Sequence, residues 1–180
     1  MQLEVIVMKW AIAQLIKQGS QVFEINELVD FSDVVKNHDE IRDLSKIKVT
    51  GTGQLQGKKV VFNLTIEGTM TLPCALTLED VEYPFSIDTV EIFVLDSALY
   101  EEGEDEILVT GTSVELAPVI WQNIMLEKPL RVVKEGAHEQ LKKQGIEFET
   151  EEELHESESE PKVDPRLAVL SKLLNDTQDN

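Results

Sequence analysis

Two neighbouring stretches of the chain alternate strictly between apolar and polar positions. Ile47, Val49, Gly51, Gly53 and Leu55 alternate with Lys46, Lys48, Thr50, Thr52 and Gln54. After Gln56-Gly57-Lys58, the residues Val60, Phe62, Leu64, Ile66, Gly68, Met70 and Leu72 alternate with Val61, Asn63, Thr65, Glu67, Thr69 and Thr71. A period of two over this length predicts strands with one buried and one wet face. The short turn between them predicts an antiparallel hairpin. Pro73 is expected to end the second strand, because it cannot donate to a ladder.

A further strand is predicted from Val81 to Leu95. Tyr83, Phe85 and Ile87 share one phase, whereas Val90, Ile92 and Val94 share the other. That shift near Asp88-Thr89 predicts a β-bulge. Glu101 to Glu106 reads as an acidic loop and Ile107 to Thr110 as a short strand. The period then changes. Leu116, Ile120 and Ile124 lie four apart, with Val119 and Trp121 beside them, which predicts an amphipathic helix over Leu116–Leu126. It is expected to begin near Ser113, with Pro118 in its first turn, and to stop at Pro129. Leu130 to Val133 can then return as a strand.

The opening is harder to assign. Ile12–Leu15 and Val22–Val29 flank a polar turn, Lys17-Gln-Gly-Ser20. Val22–Ile25 reads as a strand, and Phe31–Lys36 as one or two helical turns capped by Ser32 or Asp30. Met8-Lys9-Trp10 offers an alternative start to Met1.

At the other end, Glu149 to Glu160 is a run rich in Glu and Ser. It holds too few apolar residues to offset its ordering entropy and reads as a disordered linker over residues 149–162. A tail over residues 163–180 follows, with Asp164 as N-cap and Pro165 as first helical residue. Leu167, Leu170 and Leu174 form one stripe of it. So short a helix is marginal alone in water. It docks either on its own domain or in a partner's groove.

These elements predict an α+β fold for residues 1–148. The expected core is an antiparallel, partly barrel-like sheet with one or two packed helices. The net charge is −19, and no Lys or Arg occurs from Val60 through Glu127. Such a surface repels phosphate, so it opposes nucleic acid overall and favours basic partners. Only Lys128, Arg131 and Lys134 cluster as cations near the amphipathic helix, as a small patch for RNA. No apolar run approaches the ~20 residues that span a bilayer, and the N-terminus lacks the features of a signal peptide. The expected location is the cytoplasm, with no membrane partner.

Candidate chemistry is sparse. His38, His138 and His155 each sit in polar, charged sequence and read as surface residues. Cys74 is the single cysteine, so neither an internal disulfide nor a cysteine zinc site can form. It reads as a small buried hydrophobe. Gly51-Thr52-Gly53 lacks the third glycine and the helix of a dinucleotide site, and marks a bulge or a close strand approach. No catalytic residue, metal or cofactor is expected. Trp121 reads as a core or interface anchor.

Several segments together carry a family resemblance. They are Met8-Lys9-Trp10 with Ala13-Gln14-Leu15, and Thr69-Met-Thr-Leu-Pro-Cys-Ala-Leu-Thr-Leu-Glu-Asp80 followed by Val81-Glu-Tyr-Pro-Phe85. The others are Leu116-Ala-Pro-Val-Ile-Trp-Gln-Asn-Ile-Met-Leu-Glu-Lys-Pro129 and Asp164-Pro-Arg-Leu-Ala-Val-Leu170. In these segments the chain resembles the YceD family of large ribosomal RNA subunit accumulation proteins, of the Firmicutes type. The resemblance implies a role in ribosome biogenesis without enzymatic activity. It also implies a basic ribosomal protein or assembly factor as partner, since the family gene often neighbours that of a small basic large-subunit protein. Many members carry a second cysteine three positions after the one matching Cys74, where this chain has Thr77. Any metal or redox role of that pair is therefore not expected here.

The first expectation is thus an accessory factor that promotes accumulation of large-subunit rRNA through protein contacts. Asp164, Pro165, Arg166, Leu167, Leu170, Leu174 and Trp121 are its candidate partner-binding residues. The alternatives are direct RNA binding through Lys128, Arg131 and Lys134, and an acidic protein-interaction module unrelated to ribosomes. An enzyme would need a concave site with converging polar groups.

Overall fold

The computed structural model describes residues 8–36, 38–100 and 105–146. Its framework is a six-stranded open sheet in the order β2-β4-β5-β6-β7, with β3 against the far end of β5. The strands are β2 (Phe23–Val29), β3 (Asp43–Leu44), β4 (Ile47–Gln56), β5 (Lys59–Pro73), β6 (Asp80–Val94) and β7 (Glu106–Leu108). A separate two-stranded pair joins β1 (Lys9–Ala11) to β8 (Ser113–Glu115). Helices α1 (Ile12–Gln18), α2 (Ser32–Val35) and α3 (Ala117–Glu127) complete the compact unit that ends at Ala137. Helix α4 (Ala137–Lys143) runs into a second unit, residues 138–180.

The predicted hairpin is present. β4 and β5 pair from Lys48↔Glu67 to Gln56↔Lys59 around a two-residue turn, Gly57-Lys58, with Gly57 at φ 64°. The predicted alternation also holds. Ile47, Val49, Leu55, Val60, Phe62, Leu64, Ile66, Met70 and Leu72 are all buried. Pro73 is the last residue of β5, as its missing N–H requires.

Gly51 and Gly53 mark a close approach rather than a bulge, for both ladders of β4 keep an unbroken register past them. A methyl group at Gly51 would lie 2.0 Å from the Asn63 carbonyl oxygen, and one at Gly53 would lie 2.3 Å from the Phe23 ring. The space above Gly53 is filled by aromatic rings. Phe62 packs against Trp10, Phe23 and Phe93, with centroids 5.4, 6.0 and 5.6 Å away. Such contacts add to the ~2–3 kcal/mol each buried large side chain contributes. Helix α3 places Val119, Ile120 and Ile124 into the same core, joined by Leu15 of α1 and Val35 of α2.

The structure corrects several expectations. The bulge near Asp88-Thr89 is absent, since β5 and β6 pair without a break from Lys59↔Val94 to Pro73↔Asp80. Val90, Ile92 and Val94 share the outer side of the strand, where Val90 is 57% exposed but Val94 is fully buried. The sheet does not close into a barrel, because β2 and β7 are not paired with each other. It is not wholly antiparallel either: β7 runs parallel to β6 and covers Glu106–Leu108 rather than residues 107–110. Ser113 opens no helix but begins β8, because its backbone is paired with Ala11. Residues 130–133 form no strand, and the link to the Cys74 turn is one bond, from Ala75 N–H to the Val132 carbonyl.

Helix α3 begins with Pro118 in its first turn and ends before Pro129 as predicted. Helix α2 has Phe31 rather than Ser32 or Asp30 at its N-cap and no side-chain cap there; Asp30, one residue earlier, accepts the Ser32 N–H through Oδ1 at 2.9 Å. The predicted boundary at residue 148, the linker 149–162, the tail 163–180 and the stretch Met1–Val7 lie outside the described residues.

Candidate interaction surface

Strand pairing fixes which side chains face outward. Opposite the core, the sheet presents Glu24, Asn26 and Leu28 of β2 and Lys48, Thr50 and Thr52 of β4. On β5 and β6 it presents Asn63, Thr65 and Glu67 beside Glu82, Pro84, Ser86, Asp88 and Val90. Leu28 and Val90 are more than half exposed. The polar groups are knit to each other, with Thr65 Oγ1 donating to Asp88 at 2.7 Å and Lys48 paired with Glu67 at 3.0 Å. Among described residues the face is polar, acidic and devoid of cations on β6.

A cleft of about 410 Å³ lies where β7 joins β6, opposite α3. Thr89, Glu91, Ile107, Gln122, Asn123 and Leu126 line it. Glu91 shares the inner-face phase of β6, which predicts an apolar residue there. Its carboxylate is instead held by Asn123 Nδ2 at 2.8 Å and Thr89 Oγ1 at 2.9 Å. Asn123 also donates to the Val119 carbonyl at 2.9 Å. Leu126 at the rim is 77% exposed. Sequence reading did not single out Glu91 and Asn123. The available signal was polar Thr89 and Glu91 interrupting the inner-face phase of Tyr83, Phe85 and Ile87.

The predicted basic patch is largely neutralised. Lys128 Nζ sits 2.6 Å from Glu40, and Lys134 Nζ sits 3.0 Å from Glu79. Lys128 holds the Glu40 carboxyl below the usual carboxylate range by hydrogen bonding and charge. Arg131 is exposed and has no ion pair among the described residues. The three cations thus supply one uncompensated charge. Lys128 and Arg131 line a shallow depression with Asp39, Glu40, Pro129, Leu130 and the end of β5, in which Leu130 is fully exposed.

Trp121 is half-buried and spends its ring within the chain, 5.6 Å from Phe31 and 6.0 Å from His38. His38 is therefore half-buried rather than simply on the surface, and its Nδ1 accepts the Glu40 N–H at 3.4 Å. His138 is half-buried too. His155 and the tail residues Asp164, Pro165, Arg166, Leu167, Leu170 and Leu174 lie outside the described residues.

Cys74 is buried, as expected of a small hydrophobe. Its environment is nevertheless polar. Burial pushes the thiol up, but the Lys134 N–H, the Thr77 hydroxyl and N–H, and the Leu76 N–H outweigh it and bring the pKa to about 7. The Lys134 and Leu76 nitrogens stand 3.3 and 3.4 Å from the sulfur. The Thr77 hydroxyl has no hydrogen bond of good geometry and is buried against this turn. No group of three or more His, Cys, Asp or Glu side chains could hold a metal ion among the described residues. No helix among them is long and apolar enough to cross a membrane.

The comparisons with known proteins agree with the segments that carried the resemblance. A family model described as large ribosomal RNA subunit accumulation protein YceD matches residues 62–174. An uncharacterized protein of Bacillus subtilis (strain 168), YlbN, is 36% identical over 169 residues, which cover 93% of this chain and 96% of that protein. No solved structure matches. The chain belongs to the YceD family of large ribosomal RNA subunit accumulation proteins.

Proposed function

We propose that the chain is a non-enzymatic, cytoplasmic accessory factor that needs no cofactor. It promotes accumulation of large-subunit rRNA by holding a basic ribosomal protein or assembly factor. The family supports the role in rRNA accumulation. The observation that carries the protein partner is electrostatic. Lys128 and Lys134 are spent on Glu40 and Glu79, while the stretch from Val60 through Glu127 has no cation at all. Phosphate recognition needs several uncompensated cations, because affinity arises from displaced counterions. A basic protein needs the opposite surface.

The test is affinity purification of the full chain from native cells, with protein and RNA both sequenced. The expected result is a small basic ribosomal protein or assembly factor that stays bound after ribonuclease treatment. Recovery of large-subunit RNA by the purified protein alone, with a steep salt dependence, would instead establish direct binding around Arg131. Removing residues 163–180 is expected to weaken partner recovery and leave the melting temperature unchanged. An equal loss of stability would assign the tail to the chain's own core.

A further inference from the structure

The backbone of β6 carries an unused row of hydrogen-bonding groups. Pairing with β5 consumes only alternate residues of β6, and three observations fix which ones. Thr69 directs both its backbone groups at Ser45, accepting from Ser45 N and donating to Ser45 Oγ, each at 2.9 Å. Its partner Pro84 therefore faces away from β5, as a residue without an N–H must. Val94, of the same parity, gives its carbonyl to Val109 N–H on the outer side at 2.9 Å. Leu95, of opposite parity, donates inward to the Lys58 carbonyl at 2.9 Å. Glu82, Ser86, Asp88 and Val90 consequently point their N–H and C=O groups outward. β7 covers this edge only at Ile92–Val94. Among the described residues no backbone bond reaches the edge from Glu82 to Val90.

We infer that this edge of β6 receives an extended, basic segment of a partner protein as an added strand, in line with β7. The inference rests on the proposed basic partner and gives it a place. The row is an unpaired strand edge, the form that templates strand addition. One end opens into the cleft against α3, where Leu126 offers an apolar contact for inward-pointing residues of the segment. The outward face beside the edge carries Glu82 and Asp88; Glu67, one strand further in, is already paired with Lys48. Cationic side chains on that face of an added strand would meet carboxylates. The same charges repel a second copy, whose edge would set Glu82 and Asp88 against their own kind. Pro84 removes one donor, so the segment Ser86–Val90 offers the uninterrupted part of the row.

The experiment uses the isotope-labelled full chain and a synthetic ten-residue peptide alternating Arg and Val. Amide exchange is measured by NMR with and without the peptide. The expected result is slowed exchange, by about tenfold or more, at Ser86, Asp88 and Val90, with Phe85 and Ile87 unchanged. Ser86→Pro removes one outward N–H and leaves the β5 ladder intact, as Pro84 already does. This variant is expected to bind the peptide about tenfold more weakly at an unchanged melting temperature. Asp88→Asn, a second variant with an intact backbone, is expected to weaken binding and steepen no unfolding transition.

Peptide binding that protects the β2 edge or no edge would overturn the inference and leave the basic partner standing. Absence of any binding would overturn the inference, and recovery of a basic protein from native cells would then still decide the partner reading. Edge amides already protected in the free chain, and released by deleting residues 147–180, would show that the chain occupies its own edge. That result also overturns the inference.

Discussion

Lys128 Nζ lies 2.6 Å from Glu40 Oε2, a pair formed across 88 positions of sequence. The ion pair ties the end of α3 to the segment after α2 and removes a cation from the predicted RNA patch. Its signature is the depressed Glu40 carboxyl, caused first by the hydrogen bond from Lys128. A depressed carboxyl stabilises the fold above its unfolded pKa and loses that effect as pH falls through its folded value. In Lys128→Met, the Glu40 carboxyl is expected to titrate higher, towards 4.5, as read by NMR of its side-chain carbon. An unmoved Glu40 would mean the pair does not persist in solution.

Gly51 and Gly53 are expected to be intolerant for different reasons. At Gly51, φ is 152° and a methyl would meet a carbonyl oxygen, so Gly51→Ala should cost about 3 kcal/mol or more. At Gly53 the obstacle is the Phe23 ring, which can give, so Gly53→Ala should cost about 1–3 kcal/mol. Thr52→Ala, on the wet face between them, should stay within about 0.5 kcal/mol. Urea denaturation of the three variants checks the order.

Cys74 is expected to be acidic yet slow to react. With a folded pKa of about 7 against an ordinary 9.0, the thiolate is favoured by folding. Its stabilisation is then full above pH 9, falls as pH drops, and is gone below about 7. Urea midpoints should therefore rise from pH 7 to 9 in the native sequence, and rise less in Cys74→Ala. Because the sulfur is buried, alkylation by iodoacetamide at pH 8 should be limited by opening of the turn. Rapid labelling of the folded protein would contradict this.

Asp30 stands just before the N-cap of α2 and its carboxyl is held low, chiefly by the Ser32 N–H and hydroxyl. Asp30→Ala should cost about 1 kcal/mol, the usual net value of one lost hydrogen bond, since Phe31 holds the N-cap position. Asp30→Ser should recover most of it. The difference between Asp30 and Ala should be full above the ordinary 3.8 and shrink as pH falls from there through the lower folded value. Thermal melts at pH 7 and 3 measure both effects.

The long hairpin was legible because alternation over Ile47–Leu72 is enforced by a single buried face. The misreading of β6 has the same physical root. Val90 and Ile92 are apolar on the outer face, whereas Thr89 and Glu91 are polar on the inner one, where Asn123 satisfies the Glu91 carboxylate. Asn123 belongs to α3, so no local pattern announces that compensation. The parallel β7 and the short β1 and β8 are three residues each, too brief to display a period. The cations of the supposed RNA patch cluster along the chain, but Glu40 and Glu79 reach them only through the fold. The acidity of Cys74 depends on a donor at Lys134, 60 positions away.

β5 and β6 run side by side for fifteen residues each without a slip. At ~3.3 Å per residue this ribbon is about 45 Å from the Lys59 end to the Pro73 end. The thiol turn lies at one extremity and the Lys59–Glu106 ion pair at the other. A rounded ligand about 30 Å across could not straddle that spacer. The thiol turn and the ion pair therefore sit outside each other's reach, and no contact of small-domain size can couple them.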